Sequence, residues 1–170
     1  MQKILTVVLC FVSLLVLGNN KAIEIVAGFE GFRPVPYRDV TGYSIGYGTN
    51  VARANGKTRV SKEEAKDILA SCLEDEEDFV SSKLGQKTWV KLDADKKAAL
   101  LSMSYNCREL IGPKLIAAIK AGNVRKAAEE ISYGHKGEKK GLVLRRFKEA
   151  SMFDHSFLPT MEEFNARHKR

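Results

Sequence analysis

The chain has 170 residues, of which 44% are hydrophobic and 29% are charged, so it is long enough for one globular domain with a sizeable core. Its formal net charge of +7 favours anionic polymers, a class that includes nucleic acid, cell-wall glycan with its peptide carboxylates, and anionic lipid. The sequence has no Gly-rich phosphate loop, zinc-type Cys/His spacing, RNA-binding aromatic motif or repeat, and charge alone does not choose among these polymers.

The first twenty residues differ in composition from the rest of the chain. Lys3 precedes an apolar run from Ile4 to Gly18, which polar residues follow. The run is shorter than the roughly 20 residues that a membrane span usually needs, and it is typical of a signal peptide. A buried core helix is the alternative. We therefore expect an export signal or membrane anchor over 1–20, a folded domain over 21–154 and a polar tail over 155–170.

A short helix is predicted to end at Glu30. Val26 and Glu30 lie on one face at helical spacing, and Gly31 follows where a left-handed cap residue is common. The chain must then become extended, because the residues before Pro34 and Pro36 are disfavoured in a helix. The sequence thus places a carboxylate at the tip of a helix, next to a strand.

The next predicted element is a β-hairpin with Thr41-Gly42 as its two-residue loop. In that register Asp39 lies opposite Ser44, and side chains of opposed residues project from the same face. An acid at a helix end, with a second acid beside a hydroxyl, suits glycoside hydrolysis. That reaction needs one carboxyl to protonate the leaving oxygen and another group to direct water or attack the sugar. The alternative is that two surface acids and a serine simply flank a turn.

After the hairpin we expect a third strand at Thr58–Val60, and helices to the end of the domain. Ser61 and Glu64 form a capping box at the start of the first of these helices. Its acid cluster, Glu74–Asp78, is expected to be a solvated face, since nothing makes those acids converge on a metal. The further helices are predicted to begin at Asp93, Pro113, Val124 and Leu142, the last ending at Phe153.

The three cysteines leave more than one state open. In an exported chain Cys72 and Cys107 can close one disulfide. Both also occupy apolar helix positions, where a free cysteine packs as a small hydrophobic residue. A third arrangement uses Cys10, inside the export segment, as a temporary partner that holds a tethered form inactive.

The segment from Glu30 to Asn50 resembles the catalytic start of the phage-type lysozymes, which are endolysins related to the T4 enzyme. Their pattern is Glu, eight residues, Asp or Cys, five residues, then Thr. The resemblance covers about residues 22–154, with the motifs in the right order. The matching residues are Glu30-Gly31, Arg33, Tyr37, Asp39, Gly42, Ile45–Gly48, Ala98–Leu100, Tyr105-Asn106, and Gly141–Arg146 with Glu149.

This chain departs from the family pattern at the hydroxyl position. Only four residues separate Asp39 from Ser44, and the residue is serine where the family has threonine. We align from the Ile45–Gly48 side, because a slip of one residue in that strand would turn every side chain to the other face. Many relatives also carry a histidine where Thr49 stands here.

The resemblance implies an α+β, lysozyme-like fold: a small lobe with a three-stranded antiparallel hairpin sheet, a larger all-helical lobe, and a cleft between them. It also implies an inverting muramidase in which Glu30 is the general acid, and Asp39 and Ser44 hold the attacking water. No cofactor or metal is implied.

Four further residues are candidates for binding or orienting. Arg145 or Arg146 is expected to reach back to Glu30, the alternative being two solvated charges. Tyr105 and Asn106 are expected to line the cleft, the alternative for Asn106 being a helix C-cap.

The expected partners are peptidoglycan glycan strands and, through residues 4–18, the bacterial inner membrane before release or cleavage. We expect export to the periplasm or cell wall, a monomer, and no nucleic acid. Some family members keep a releasable anchor, richer in Gly and Ala than this Leu/Val run, so cleavage and tethering both stay open. The alternative functions are a lytic transglycosylase, a catalytically silent wall-binding protein and, least favoured, a basic nucleic-acid binder.

Overall fold

A computed structural model describes residues 20–39, 42–133 and 140–157. Residues 1–19 of the predicted export segment, which include Cys10, therefore lie outside the described residues. The loop over 134–139 and most of the polar tail also lie outside them. The described part has a small lobe with one helix and a three-stranded antiparallel sheet, followed by a larger all-helical lobe. The predicted α+β class is confirmed.

The first helix, α1, ends where the sequence predicts. Residues 20–30 are helical, and Gly31 follows with φ +69° while its N–H donates to the Ala27 carbonyl at 3.1 Å. Ala22 and Val26 are fully buried. The helix is therefore fixed by its apolar face, and Glu30 is its last residue.

The sheet has the strand order β1 (Arg33–Asp39), β2 (Gly42–Gly46), β3 (Thr49–Asn50). The predicted turn at Thr41-Gly42 is wrong, because Gly42 already belongs to β2 and pairs with Asp39. Ser44 pairs with Tyr37 instead of Asp39. The observed pairing differs from the predicted one by two residues, and a shift of two leaves each side chain on its expected face.

The predicted third strand at Thr58–Val60 is also wrong. The third strand is Thr49–Asn50, and Val60 makes a single backbone hydrogen bond to the sheet, from its N–H to the Pro34 carbonyl at 2.9 Å. Pro34 lies on the edge strand, within a register irregularity between Arg33 and Tyr37. Proline cannot donate a backbone hydrogen bond, which is why this edge does not continue as a ladder.

The helical lobe contains seven elements in the described residues, and its core extends from the sheet to Phe157. They are α2 (Lys62–Leu84), α3 (Gln86–Trp89), α4 (Ala94–Asn106), a 3₁₀ turn (Arg108–Leu110), α5 (Pro113–Lys120), α6 (Val124–Ser132) and α7 (Lys140–Phe153). No helix in the described ranges is long and apolar enough to cross a membrane.

Local signals placed the starts of α2, α4, α5 and α6 correctly, whereas α7 begins at Lys140 instead of the predicted Leu142 and the short α3 was not predicted. Both halves of the Ser61–Glu64 capping box are formed, at 3.1 and 2.8 Å. The side chain of Asp93 caps α4, and Pro113 opens α5. These predictions succeeded because a cap satisfies backbone N–H groups within a few residues of itself, with no help from the rest of the fold.

Two side-chain expectations for the helical lobe change. The acid cluster on α2 is not wholly solvated, because Glu76 is buried and bonded to Ser104 and Arg108. Cys72 is buried and Cys107 partly buried, and both are free thiols. The disulfide that the sequence left open is therefore absent between them.

Candidate active site

Glu30 lies at the junction of the two lobes. Its Oε1 accepts a hydrogen bond from Arg145 Nη1 at 2.6 Å, and about a quarter of its side chain is exposed. Its Oε2 lies 3.1 Å from the position that a Cβ on Gly48 would occupy, and Gly48 has φ +78°. Any larger residue at 48 would be strained and would press on the carboxylate. The α1 tip and the β2–β3 turn together fix this acid.

Arg145 fixes Glu30 from the helical lobe. It is only 3% exposed, and its three nitrogens all have acceptors: Glu30 at Nη1, the Ser102 carbonyl at Nη2 (2.9 Å), and Glu149 Oε1 at Nε (3.2 Å). The guanidinium also lies 5.2 Å from the centre of the Phe29 ring. Since the guanidinium is planar and rigid, fixing two of its nitrogens fixes the third.

The other arginine of the predicted pair points elsewhere. Arg146 is fully buried, and its Nη2 donates to Asn106 Oδ1 at 3.1 Å and to Glu149 Oε1 at 3.3 Å. Burial lowers the pKa of Arg146, while the nearby Glu149 carboxylate acts in the opposite direction. Of the two residues that the sequence offered as partners of Glu30, the structure selects Arg145.

Asp39 and Ser44 meet on one face of the hairpin. Ser44 Oγ donates a short hydrogen bond to Asp39 Oδ2, although the two residues are diagonal neighbours in the ladder. Diagonal neighbours on one face lie close enough for such a contact. Ser44 is 2% exposed, whereas Asp39 is exposed, so a buried hydroxyl holds an acid that solvent can reach.

Tyr37 belongs to the same face and was not singled out as a site residue by the sequence. It pairs with Ser44 across the strands, and the Arg33 guanidinium lies 4.4 Å from the centre of its ring. Burial first, and then the charges of Glu30 and Asp39, raise the pKa of its phenol. The phenol thus lies close enough to both acids to sense their charge. Its position two residues before Asp39 on a strand is the signal that would have found it.

Tyr105 and Asn106, which were both expected to line the cleft, bond to different parts of the protein. The Tyr105 hydroxyl donates to the Tyr47 carbonyl at 2.9 Å and lies 3.3 Å from Thr49 Oγ1, which ties α4 to the sheet. Burial raises the pKa of its phenol. Asn106, the last residue of α4, accepts from Arg146 instead. Both polar groups are thus engaged within the protein.

The site contains two acids, Glu30 and Asp39, and each accepts a hydrogen bond from a side chain of the protein. One acid is held by a buried arginine, and the other by a buried hydroxyl. In the described ranges no group of three or more His, Cys, Asp or Glu side chains is arranged to hold a metal ion. Two unequal acids of this kind can divide the tasks of proton donation and water activation.

Comparisons with known proteins agree on one family. The model of the family described as phage lysozyme matches residues 27–149. Among solved structures, an endolysin from Escherichia coli O157:H7 phage FAHEc1 is 27% identical, with a TM-score of 0.67, over 82% of this chain and 94% of that one. The muramidase domain of SpmX from Asticaccaulis excentricus is 26% identical, with a TM-score of 0.66, over 78% and 94% of the two chains.

A mutant of P22 lysozyme is 24% identical, with a TM-score of 0.66, over 78% of this chain and 94% of that chain, and its likeness concerns the fold. No curated protein sequence matches the chain.

Proposed function

Because the chain belongs to the phage lysozyme family, we propose that it hydrolyses the β-1,4 bond between N-acetylmuramic acid and N-acetylglucosamine in peptidoglycan. The coarser conclusion, a peptidoglycan-degrading glycoside hydrolase, comes from the family itself. The observation that carries the finer proposal is that each acid is held by a buried donor, Glu30 by Arg145 Nη1 at 2.6 Å and Asp39 by Ser44 Oγ.

In the proposed mechanism Glu30 protonates the glycosidic oxygen. The leaving sugar needs this proton because an alkoxide is a poor leaving group, and positioned acids of this kind accelerate reactions by about 10²–10⁴-fold. The short contact with Arg145 aims one carboxyl oxygen into the helical lobe, while Oε2 is held against the Gly48 backbone. The proton to be donated is best carried on Oε2, since Oε1 already accepts from a cation.

Asp39 and Ser44 direct the attacking water. The Ser44 hydroxyl has one proton, and this proton is donated in the hydrogen bond to Asp39. Its oxygen can therefore accept a hydrogen from water, while the Asp39 carboxylate takes the other hydrogen as the water attacks the sugar carbon. A serine supplies the same donor and acceptor atoms as a threonine, without the methyl group that would limit its rotation.

The mechanism predicts inversion at the sugar carbon. In an inverting enzyme water attacks from the face opposite the leaving oxygen, and the two carboxyls stand about 6.5–9.5 Å apart to admit it. Proton NMR of the first product formed from a soluble glycan oligomer would show the α anomer. A β anomer would indicate a retaining reaction through a covalent intermediate, with Asp39 as the nucleophile.

The test is clearing of purified peptidoglycan by the protein lacking residues 1–20. Glu30→Gln should reduce the rate by at least about 100-fold, because an amide cannot donate the proton. Asp39→Asn and Ser44→Ala should also reduce it, Ser44→Ala less. Glu24→Gln removes an exposed acid from the same helix and is the matched control that should clear at the wild-type rate.

Two results would argue against the proposal. Clearing by a correctly folded Glu30→Gln variant at the wild-type rate would remove the general acid from the mechanism. Mass spectrometry provides the second check, since hydrolysis adds one water to each cleaved bond. Products that end in an anhydro sugar would instead identify a lytic transglycosylase.

We also propose that the protein acts after export, as a monomer, in host-cell lysis. Export is supported by the apolar run from Ile4 to Gly18 behind Lys3, and host-cell lysis by the likeness to an endolysin. Expression of the full chain in bacteria, followed by cell fractionation and mass measurement, distinguishes cleavage of this segment from tethering to the membrane. A periplasmic form that has lost about 20 residues indicates cleavage, and a full-length form in the inner membrane indicates tethering.

A further inference from the structure

We propose that Glu149 is a positioning residue for the proposed acid Glu30, acting through Arg145. Glu149 lies on α7 and is fully buried. The inference rests on the proposed function, since it concerns how the acid that this function assigns to Glu30 is held.

The first observation is that Oε1 of Glu149 takes the hydrogen bonds of this carboxylate, while Oε2 is paired with Arg146 by charge without a hydrogen bond. Its Oε1 accepts from Ser102 Oγ at 2.7 Å, from Arg145 Nε at 3.2 Å and from Arg146 Nη2 at 3.3 Å. Its Oε2 lies 3.1 Å from Arg146 Nε. A buried carboxylate costs several kcal/mol of desolvation unless charges and donors compensate it, and here two guanidinium groups and a hydroxyl do so.

The second observation is geometric. Arg145 donates a hydrogen bond from Nε to Glu149 and another from Nη1 to Glu30, so the two acids lie at different edges of one rigid, planar group. The Ser102 carbonyl fixes the third nitrogen. Rotation of the guanidinium away from Glu149 would therefore swing Nη1 away from Glu30 as well. Glu149 sets the direction from which Glu30 is held.

The third observation is the balance of charge. A cation beside a carboxyl favours the ionised form, which cannot act as an acid. Arg145 and Arg146 are two buried cations on the side of Glu30 that faces the helical lobe, and Glu149 is the acid between them. Its negative charge offsets part of their effect on Glu30. On the sheet side, the Tyr37 phenol senses the charges of both Glu30 and Asp39, and the Tyr105 phenol of α4 also senses the charge of Glu30.

The groups that face Glu149 come from two elements. Arg145 and Arg146 belong to its own helix, and Ser102 to α4, while Asn106 and Cys107 lie around Arg146 at the end of α4. Burial raises the pKa of Glu149, and the two guanidinium groups and the Ser102 hydroxyl act against that rise. Two adjacent buried cations without a counter-ion would be the more costly state, so Glu149 supplies the negative charge.

A purely structural ion pair is the competing explanation, and the molecule supplies its control. Glu76 is a second buried acid that accepts from a serine of α4 and from an arginine, but its partners Ser104 and Arg108 have no contact with Glu30. Glu76→Gln and Glu149→Gln each remove one negative charge from a buried carboxylate that is bonded to a serine of α4 and to an arginine. The two variants differ in whether the arginine continues to Glu30.

The experiment measures kcat/KM for wall clearing from pH 4 to pH 9 for both variants. The fall on the alkaline side reports the loss of the proton from the catalytic acid. In Glu149→Gln the charge of Arg145 is no longer shared, so this fall should move to lower pH by on the order of one unit. In Glu76→Gln the fall should stay at its wild-type position, because Arg108 does not bond to Glu30.

Ser102→Ala covers the case in which Glu149→Gln does not fold. It removes the 2.7 Å donor to Glu149 but keeps every charge, so the alkaline fall should move in the same direction by a smaller amount. An unchanged profile in whichever of these variants folds would overturn the proposal, as would an equal shift in Glu76→Gln. Inactive Glu30→Gln with an unshifted Glu149→Gln would leave the proposed function standing and remove this inference alone.

Discussion

In the described residues the helical lobe contains two buried carboxylates built to almost the same plan, and only Glu149 is linked through an arginine to Glu30. Glu149 accepts from Ser102 and Arg145, and Glu76 from Ser104, at 2.5 Å, and Arg108. Ser102 and Ser104 are two residues apart on α4, so they face nearly opposite sides of that helix. One helix therefore supplies a hydroxyl to α7 on one side and to α2 on the other.

The arginines account for the difference between the two clusters. Arg108 is 45% exposed at its side chain and stacks 4.9 Å from the centre of the Phe79 ring, so water can solvate its charge. Arg145 is enclosed, and its remaining nitrogen is aimed at Glu30. The same Glu–Ser–Arg chemistry stabilises the lobe in one place, and in the other it transmits the position of a helix to an acid in the candidate site. Buried charge by itself therefore does not identify a functional residue in this lobe.

The largest expected effect comes from removing the two arginines in turn. Arg145→Met should lower the free energy of unfolding by about 3–5 kcal/mol, because it leaves Glu149 buried with only Arg146 to balance it. Arg108→Met should cost about 1–2 kcal/mol, since its loss removes charged hydrogen bonds at a site that water can reach. Urea unfolding of both variants measures the difference. Equal losses would mean that exposure of the arginine does not distinguish the clusters.

A smaller and sharper comparison uses the two serines. Ser102→Ala and Ser104→Ala each remove one hydroxyl that donates to a buried carboxylate, and each should lower the free energy of unfolding by about 1.5–3 kcal/mol. Their stabilities should therefore match, while only Ser102→Ala should change wall-clearing kinetics. Thermal unfolding and turbidity assays on the same preparations test both statements. A kinetic change in Ser104→Ala would show that α4 transmits any disturbance, whichever side it comes from.

Sequence reasoning found the parts of the site that short-range rules determine. The end of α1 at Glu30 follows from a helical face and a glycine cap, and Asp39 and Ser44 reach the same face because strand side chains alternate with a period of two. For that reason the incorrect turn did no harm to the prediction of the face: the register error was two residues, and an error of one would have separated the acid from the hydroxyl.

The contacts between lobes were beyond such rules. The choice of Arg145 over Arg146 depends on which side of α7 faces α1, and Arg145 and Glu30 are 115 positions apart in the sequence. The burial of Glu76 likewise depends on Arg108, 32 residues away. The spacing of Arg145 and Glu149, four apart on a helix, was visible as a local ion pair. Its link to Ser102 and Glu30 required the packed structure.

The smallest expected effect concerns the neutral contact that α4 makes with the sheet, which serves as a reference for the charged one. Tyr105→Phe removes the hydrogen bonds to the Tyr47 carbonyl and Thr49 and should lower the free energy of unfolding at pH 8 by about 1 kcal/mol. Burial raises the pKa of this phenol above its ordinary value of 10.0, so the folded protein keeps a proton that the unfolded chain releases. This contribution is complete below pH 10 and declines as the pH rises towards the folded-state pKa.

Urea titrations at pH 8 and pH 11 should thus show wild type losing its advantage over Tyr105→Phe, whereas Tyr133→Phe, at an exposed tyrosine, should show no such convergence. A constant difference in stability between wild type and Tyr105→Phe would mean that the phenol is not the group that titrates. A shifted alkaline fall of wall clearing in Tyr105→Phe would mean that neutral contacts between the lobes, as well as charged ones, affect the catalytic acid.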